Sequence, residues 1–426
     1  MSILIKNGTI LTQNKNRDIL HADILIQEDK ITEVTKGIKE KTEFVIDASN
    51  KLVLPGLINT HTHSPMTLFR GYGEGLPLEK WLEKKIWPAE KKMKEEDIYL
   101  GTMVGAAEMI CSGTTTFNDM YLVTEKMIDA IKEIGIRAVL SDAIFDALPG
   151  RSLKSEFSRI KKSLELCKST GGTLVKGALS CHSLYSCTEE GLTTTKELSR
   201  KEKVPFHIHI SETRTELFDC LNIHKKRPFE YADSLGLLDS NTILAHAGWA
   251  SKREIALAGK KAVTISHCPV SNLKLATGGI APVIEFDQAG ANITLGTDGA
   301  ASNNSLNMLE TMKMAALLQK HKYWDANILS AQRVLDYATI NGAKALEINA
   351  GSIQKGKLAD IILLDSRAFN LLPSHNIISN IIYSSNPTNL TEVIINGKIL
   401  LKERKLLKFE ESILESFSKR ANALTN

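Results

Sequence analysis

The chain has 426 residues, 43% hydrophobic and 24% charged, an ordinary soluble globular composition with room for a sizeable core and more than one structural unit. A formal charge of +4 is small for this length and argues against an extended nucleic-acid footprint. No run of about 18 apolar residues exists, so no membrane span is expected.

The first fifty residues read as strands. Met1-Ser2-Ile3-Leu4-Ile5 lacks the long apolar core of a signal peptide. Ile3 to Leu11 contains Asn7-Gly8, which predicts a strand, a tight turn and a second strand. Ala22 to Val34 repeats the theme, and Phe44–Asp47 and Lys51–Leu54 follow. The same texture returns near the end. Gly356–Asp365 is a short buried-type strand, and Glu392–Leu401 is a strand–Asn-Gly–strand hairpin. Neither terminal block has enough strands for a core of its own. Residues 1–55 and 355–426 are therefore expected to build one small β-sandwich together. The charged cluster Lys402-Glu403-Arg404-Lys405 reads as a solvated face.

Between the termini, short apolar runs alternate with helical spacing. The runs begin with Lys51–Leu54, before His61 and His63, and continue at Ile136–Leu140, Leu174–Ser180, Pro205–Ile210, Thr242–His246, Ala262–His267 and Ile293–Asp298. Helices are expected over Glu96–Ser112, Thr124–Ile134, Ser155–Ser169 and Ser305–Leu318. This α/β alternation over residues 56–354 fits a TIM-like (β/α)8 barrel of parallel strands, with a doubly wound sheet as the alternative. The runs end in His63, His182, His209, His246, His267 and Asp298. Barrel active sites sit at the C-terminal ends of strands, and no Gly-rich phosphate loop supports a dinucleotide fold. The six cysteines are scattered with no Cys-x-x-Cys, so reduced thiols and a cytoplasmic location are expected.

His61 and His63 are two apart on a strand and offer two imidazoles to one point. His207 and His209 alternate in Phe206–Ile210. One of the two is expected to be a ligand and the other to pack outward or against a helix. Asp298 is a carboxylate followed by small residues. Three imidazoles and one carboxylate suit Zn²⁺ or Fe²⁺. Such a metal supplies hydroxide at neutral pH, and a proton carrier must accompany it. Glu212, three residues past His209, is placed for that role. A helix N-terminal acid is the alternative.

These residues and their surroundings resemble the amidohydrolase superfamily, and within it the 5-methylthioadenosine/S-adenosylhomocysteine deaminases. The resemblance covers essentially the whole chain. It rests on Pro55–Tyr72, Leu78–Glu90, Cys111–Met120, His207–Thr213, Leu244–Ala247, Ser266–Gly278 and Leu295–Asn304. It implies a (β/α)8 barrel with a terminal β-sandwich and one divalent metal, usually zinc, on His61, His63, His209 and Asp298. It selects His209 over His207. It implies that Glu212 shuttles protons, that His246 lies near the attacking water, and that Glu90 and His182 bind the nucleoside. From the residues alone, Glu90 belongs to a solvated charged run, and His182 could equally be a satisfied loop histidine. His267 and Cys268 are kept as structural. Many relatives carry an arginine where Asp142 follows the strand here; Arg151 is the candidate replacement.

The resemblance implies hydrolytic deamination of an adenine nucleoside: methylthioadenosine, adenosine or S-adenosylhomocysteine. The alternatives are a guanine or cytosine deaminase, an s-triazine chlorohydrolase, or a non-catalytic metal-binding barrel. A small-molecule nucleoside is the expected partner, with no nucleic acid and no membrane. A homo-oligomer is an expectation drawn from relatives alone.

Overall fold

Short β-branched runs at the N-terminus form the first part of a sheet. The computed structural model describes residues 1–426. Strand β1 (Ser2–Leu11) pairs antiparallel with β2 (Ile19–Gln27), which turns tightly into β3 (Lys30–Thr35). β4 (Phe44–Asp47) and β5 (Lys51–Pro55) pair parallel with β1. The Asn7-Gly8 pair does not make the expected turn. β1 runs through it, with a bulge between Ile5 and Gly8. Asn7 adopts left-handed backbone at φ +61°, and its N–H donates to Asp23 Oδ1 at 2.9 Å. A side chain on a neighbouring strand takes the bond that a hairpin would have closed internally. A Cβ on Gly8 would lie 2.7 Å from Val53 Cγ2, so β5 can approach only a glycine.

The barrel strands are β6 (Leu57–Thr62), β7 (Thr114–Tyr121), β8 (Arg137–Ile144), β10 (Leu179–Ser183), β11 (Phe206–Ile210), β12 (Thr242–His246), β13 (Thr264–His267) and β14 (Asn292–Leu295). They pair in that order, all parallel. β9 (Val175–Gly177) pairs only with β8. The apolar run Leu174–Ser180 divides there. Ala178 N–H donates to Leu140 O on one side, and Leu179 N–H turns to Pro205 O on the other. β6 and β14 close the ring: Asp298 N–H donates to His61 O at 3.0 Å, and Thr60 Oγ1 to Leu295 O at 3.0 Å.

Several of the helices that cover the outside carry one apolar stripe. In Glu125–Ile134 the buried Met127, Ile128, Ile131 and Ile134 follow the helical period. Thr124 caps its N-terminus and Gly135, at φ +91°, ends it. The helix expected from Ser305 begins at Met308, because Asn307 Oδ1 accepts from Leu309 N–H as its cap, and it runs on to Tyr323.

The C-terminal strands complete the first sheet. β15 (Ile361–Asp365) pairs antiparallel with β5, and β16 (Leu390–Ile395), β17 (Lys398–Lys402) and β18 (Lys405–Leu406) extend it. Asn396 and Gly397, both at positive φ, do form the β16–β17 hairpin. The sheet curls until Ile31 N–H reaches Lys357 O and Ala359 N–H reaches Asp29 O. Its inner face buries Ile3, Ile5, Ile24 and Ile26 against Ile361, Leu363 and Ile394. The buried Arg137 on β8 grips Asp360 with two bonds, at 2.8 and 3.0 Å, and ties the barrel floor to this sheet. The helices of the C-terminal segment lie on the barrel instead. Ile377–Ser384 packs on the helix Ala331–Tyr337, and Ser412–Thr425 on Glu95–Cys111, where Arg420 binds Asp97 at 2.6 and 2.8 Å. No helix is long and apolar enough to cross a membrane.

Candidate active site

The ends of β6, β11, β12 and β14 bring five chemically capable side chains to one point. His63 Nε2 lies 3.2 Å from Asp298 Oδ1, and His61 Nε2 lies 3.5 Å from the same oxygen. The facing atoms of His61, His63 and Asp298 all lie within 4.8 Å of one another, as do those of His61, His209 and His246. A third group, Glu212, His246 and Asp298, shares the same centre.

The outer hydrogen bonds decide which ring nitrogens face inward. His63 Nδ1–H donates to Met120 O at 2.5 Å, and His209 Nδ1–H donates to His182 O at 2.6 Å. Both rings therefore present an Nε2 lone pair to the centre. Asp298 is held through its other oxygen, which accepts from Ser271 Oγ at 2.6 Å and Ser302 Oγ at 2.8 Å. His246 differs. Its Nδ1 accepts from Asn272 Nδ2 at 3.1 Å, so its proton sits on Nε2 and faces Glu212 Oε2 at 3.7 Å. One group of rings is arranged to give electron pairs, and His246 to give a hydrogen bond.

The backbone at these strand ends is unusual. Ser211, His246, Ala247 and Asp298 all have positive φ, from +52° to +73°. Such positions cost about 1–3 kcal/mol each and persist where the surroundings enforce them. Here Asp298 N–H is bound by His61 O, and Ala247 N–H by Ile210 O at 3.0 Å.

His207 corrects the expectation that one histidine of β11 packs outward or against a helix. Both are buried inside the barrel. Residues two apart on a strand share a face, so the pair differs in depth rather than in side. His207 lies one layer below, with Nε2 3.0 Å from His61 Nδ1 and Nδ1 3.0 Å from the Asn118 side-chain amide.

Above the cluster is a cavity of about 410 Å³. Trp81, Leu82, Trp87 and Phe145 give it apolar walls, and Glu90, Arg151 and His182 reach it. Glu90 is not solvated helix surface. Its Oε1 accepts from Tyr121 Oη at 2.6 Å, and burial raises its carboxyl above the usual range although Tyr121 and His63 oppose this. The His182 ring stacks on Phe145 at 4.6 Å and bonds Ser186 Oγ through Nδ1 at 2.9 Å. Arg151 is exposed at the rim and paired with Glu156 at 2.9 Å. Asp142 turns away from the cavity, where Ser163 and Arg159 bind it. His267 is buried with neither ring nitrogen bonded, and it does not line the cavity.

The Amidohydrolase family model matches residues 52–400, more than three quarters of the chain and all eight barrel strands. The chain belongs to the amidohydrolase family. This amidohydrolase is 43% identical to a 5′-deoxyadenosine deaminase of Methanosphaera stadtmanae over 411 residues, 96% of each chain. It is 41% identical to a 5-methylthioadenosine/S-adenosylhomocysteine deaminase of Thermococcus sibiricus over 401 residues, 94% of each. Its fold superposes on a zinc-bound adenosine deaminase of Xanthomonas campestris with a TM-score of 0.95 at 30% identity, covering 99% and 98% of the two chains. An atrazine chlorohydrolase of Arthrobacter aurescens shares the fold with a TM-score of 0.86 at 24% identity over the whole of both chains. The chain is thus an enzyme of the hydrolytic deaminase branch.

Amidohydrolases use a bound metal, and the residues here fit one. His61 Nε2 is buried and has no hydrogen-bond partner. Burial pushes His61 down to about 3 and holds His209 well below its ordinary value, so both are neutral donors. Burial opposes charge on His63 too, yet the Asp298 carboxylate raises it to about 9. The cluster attracts a positive charge, and a divalent cation would supply it in place of a proton. Burial, with the Asp298 charge behind it, pushes Glu212 up to about 8. A carboxyl so placed takes and returns a proton near neutral pH. Tyr121, Asn118 and Asn272 were not singled out in the sequence. Tyr121 ends β7 one residue past the segment Cys111–Met120, and that position was its only local signal.

Proposed function

We propose that this amidohydrolase deaminates an adenine nucleoside at C6, releasing ammonia and the inosine analogue, with zinc as its metal. The observation that carries the reading is the convergence of Glu212, His246 and Asp298 on the floor of a cavity whose wall holds Glu90.

His61, His63, His209 and Asp298 would hold the ion. Bound there, a divalent metal lowers the pKa of water to roughly 7 and so provides a nucleophile. Glu212 takes the proton that this water gives up and returns it at ring N1. His246, with its proton on Nε2, hydrogen-bonds to the attacking oxygen as negative charge develops on it. Asp298 accepts the remaining proton and passes it to the departing amine. The C6–N bond breaks, a C6–O bond forms, and water is consumed as ammonia leaves.

Glu90 would accept hydrogen bonds from ribose hydroxyls, and His182 would contact the nucleoside; both reach the cavity. The aromatic walls suit a flat base. The relatives' names include substrates with small apolar 5′ groups and one with an amino-acid tail. Leu78, Trp81, Leu82, Leu148 and Pro149 offer that tail no charge, and of the two cations lining the cavity Arg151 is already paired with Glu156, leaving Lys91. We therefore place 5′-deoxyadenosine and 5′-methylthioadenosine ahead of S-adenosylhomocysteine.

Ammonia release should be followed from 5′-deoxyadenosine, methylthioadenosine, adenosine, S-adenosylhomocysteine, guanine, cytosine and an s-triazine, with metal content measured alongside. Turnover of the adenine nucleosides with about one zinc per chain is expected. Preference for a free base or a triazine would overturn the nucleoside reading. Zinc binding without any hydrolysis would return the barrel to a binding role.

A further inference from the structure

Glu216 is a buried carboxylate without a cation. It is 6% exposed and forms no salt bridge with Lys, Arg or His. Its two oxygens are both occupied by backbone. Oε1 accepts from Ser211 N–H and Oε2 from Glu212 N–H, each at 2.8 Å. Glu216 is the third residue of the helix Arg214–His224, whose cap is Thr213. In a capping box that carboxylate returns to the N–H of the cap residue itself. Here it passes the cap and holds the two residues before it. Those residues form the turn that leaves β11, and Ser211 holds left-handed backbone at φ +52°.

We propose that Glu216 is a positioning residue for Glu212, clamping the strained Ser211–Glu212 turn so that the shuttle carboxyl faces the floor of the cavity. The inference rests on the reading of Glu212 as the proton carrier. A carboxylate is required because both oxygens must accept. A glutamine offers one acceptor oxygen and turns its NH₂ against the second N–H. Burial pushes the Glu216 carboxyl up to about 7, while the N–H groups of Glu212 and Ser211 favour its charged form, and the first turn of a helix is where such a charge is tolerated. Glu216 touches neither the proposed metal ligands' facing atoms nor the cavity. Its effect on turnover passes through the turn and through its charge, which is felt at Glu212 and His246; Glu216→Asp keeps the charge and isolates the turn.

A buried carboxylate elsewhere provides the control. Glu254 accepts from Ser251 N–H at 2.8 Å and Phe229 N–H at 3.1 Å, is paired with Arg227, and does not line the cavity. Glu216→Gln and Glu254→Gln are compared with Glu212→Gln in the zinc-loaded enzyme. Glu216→Gln should keep zinc and KM while kcat falls about a hundredfold, the scale expected of a group displaced by about 1 Å. Glu254→Gln should lower Tm and leave kcat unchanged. Glu216→Asp, which keeps the charge but is one methylene short, should lose kcat in the same direction and serves if the glutamine variant does not fold. Unchanged kcat in Glu216→Gln with a dead Glu212→Gln overturns this inference and leaves the proton-carrier reading standing. Loss of zinc in Glu216→Gln also overturns it. An active Glu212→Gln overturns the reading on which it rests.

Discussion

His207 sits directly beneath His61, with its Nε2 3.0 Å from His61 Nδ1. The contact orients the most deeply buried histidine of the cluster, and Asn118 in turn orients His207. Outer partners of this kind typically change metal affinity by about ten- to a hundredfold. His207→Leu should weaken zinc binding on that scale, and His207→Gln, which keeps a polar partner, by less. Competition against a chromophoric chelator measures both. Equal affinity in all three proteins would show that His61 needs no support.

Glu212→Gln removes the proposed proton carrier and preserves shape. It should retain the metal and lose turnover by about 10²–10⁴-fold. Metal analysis and single-turnover assays decide it together. Near-full activity would mean that protons move by another route.

Glu90 is reached by Tyr121 Oη at 2.6 Å and faces the cavity. If it receives ribose hydroxyls, Glu90→Gln should raise KM for nucleosides by roughly ten- to a hundredfold, the worth of a hydrogen bond to a charged group. Tyr121→Phe should have a smaller effect. Comparing adenosine with a nucleoside lacking the 2′-hydroxyl tests the contact, since Glu90→Gln should narrow the gap between them.

Asp97 holds the C-terminal helix through Arg420. Burial alone would raise this carboxyl, but the Arg420 guanidinium and the Lys94 N–H outweigh it and hold it below its ordinary 3.8. A carboxyl depressed by folding adds stability above the unfolded value and loses it as pH falls through the folded one. The helix Ser412–Thr425 should therefore stay docked at neutral pH and loosen below about pH 3.8. Asp97→Asn should loosen it at every pH, by about 1–3 kcal/mol. Hydrogen exchange of that helix across the acid range reads the effect.

Much of the architecture was legible because strand and helix periods are local. The apolar runs marked the barrel strands, and their last residues marked the site. His61, His63, His209 and Asp298 are where strand ends predict a ligand set. What local pattern lacks is depth and partner. A period of two places His207 and His209 on one face, but only the stagger of β11 beside β10 and β12 puts one in the cluster with His61 and His246 and the other beneath His61. Identical Asn-Gly pairs became a bulge at Asn7-Gly8 and a hairpin at Asn396-Gly397, because Asp23 and Val53 meet the first and not the second. Glu90 lay in a charged run that reads as solvated, until the fold carried Tyr121 to it. The sequence by itself determined the α/β alternation and which strand ends carry histidine, aspartate and glutamate, since these follow from residue type and local period, and the choice of His209 over His207 came only from the family resemblance. Only the tertiary structure decided which ring nitrogens face inward, which histidine supports another and what holds Glu212, since each depends on hydrogen bonds between distant segments.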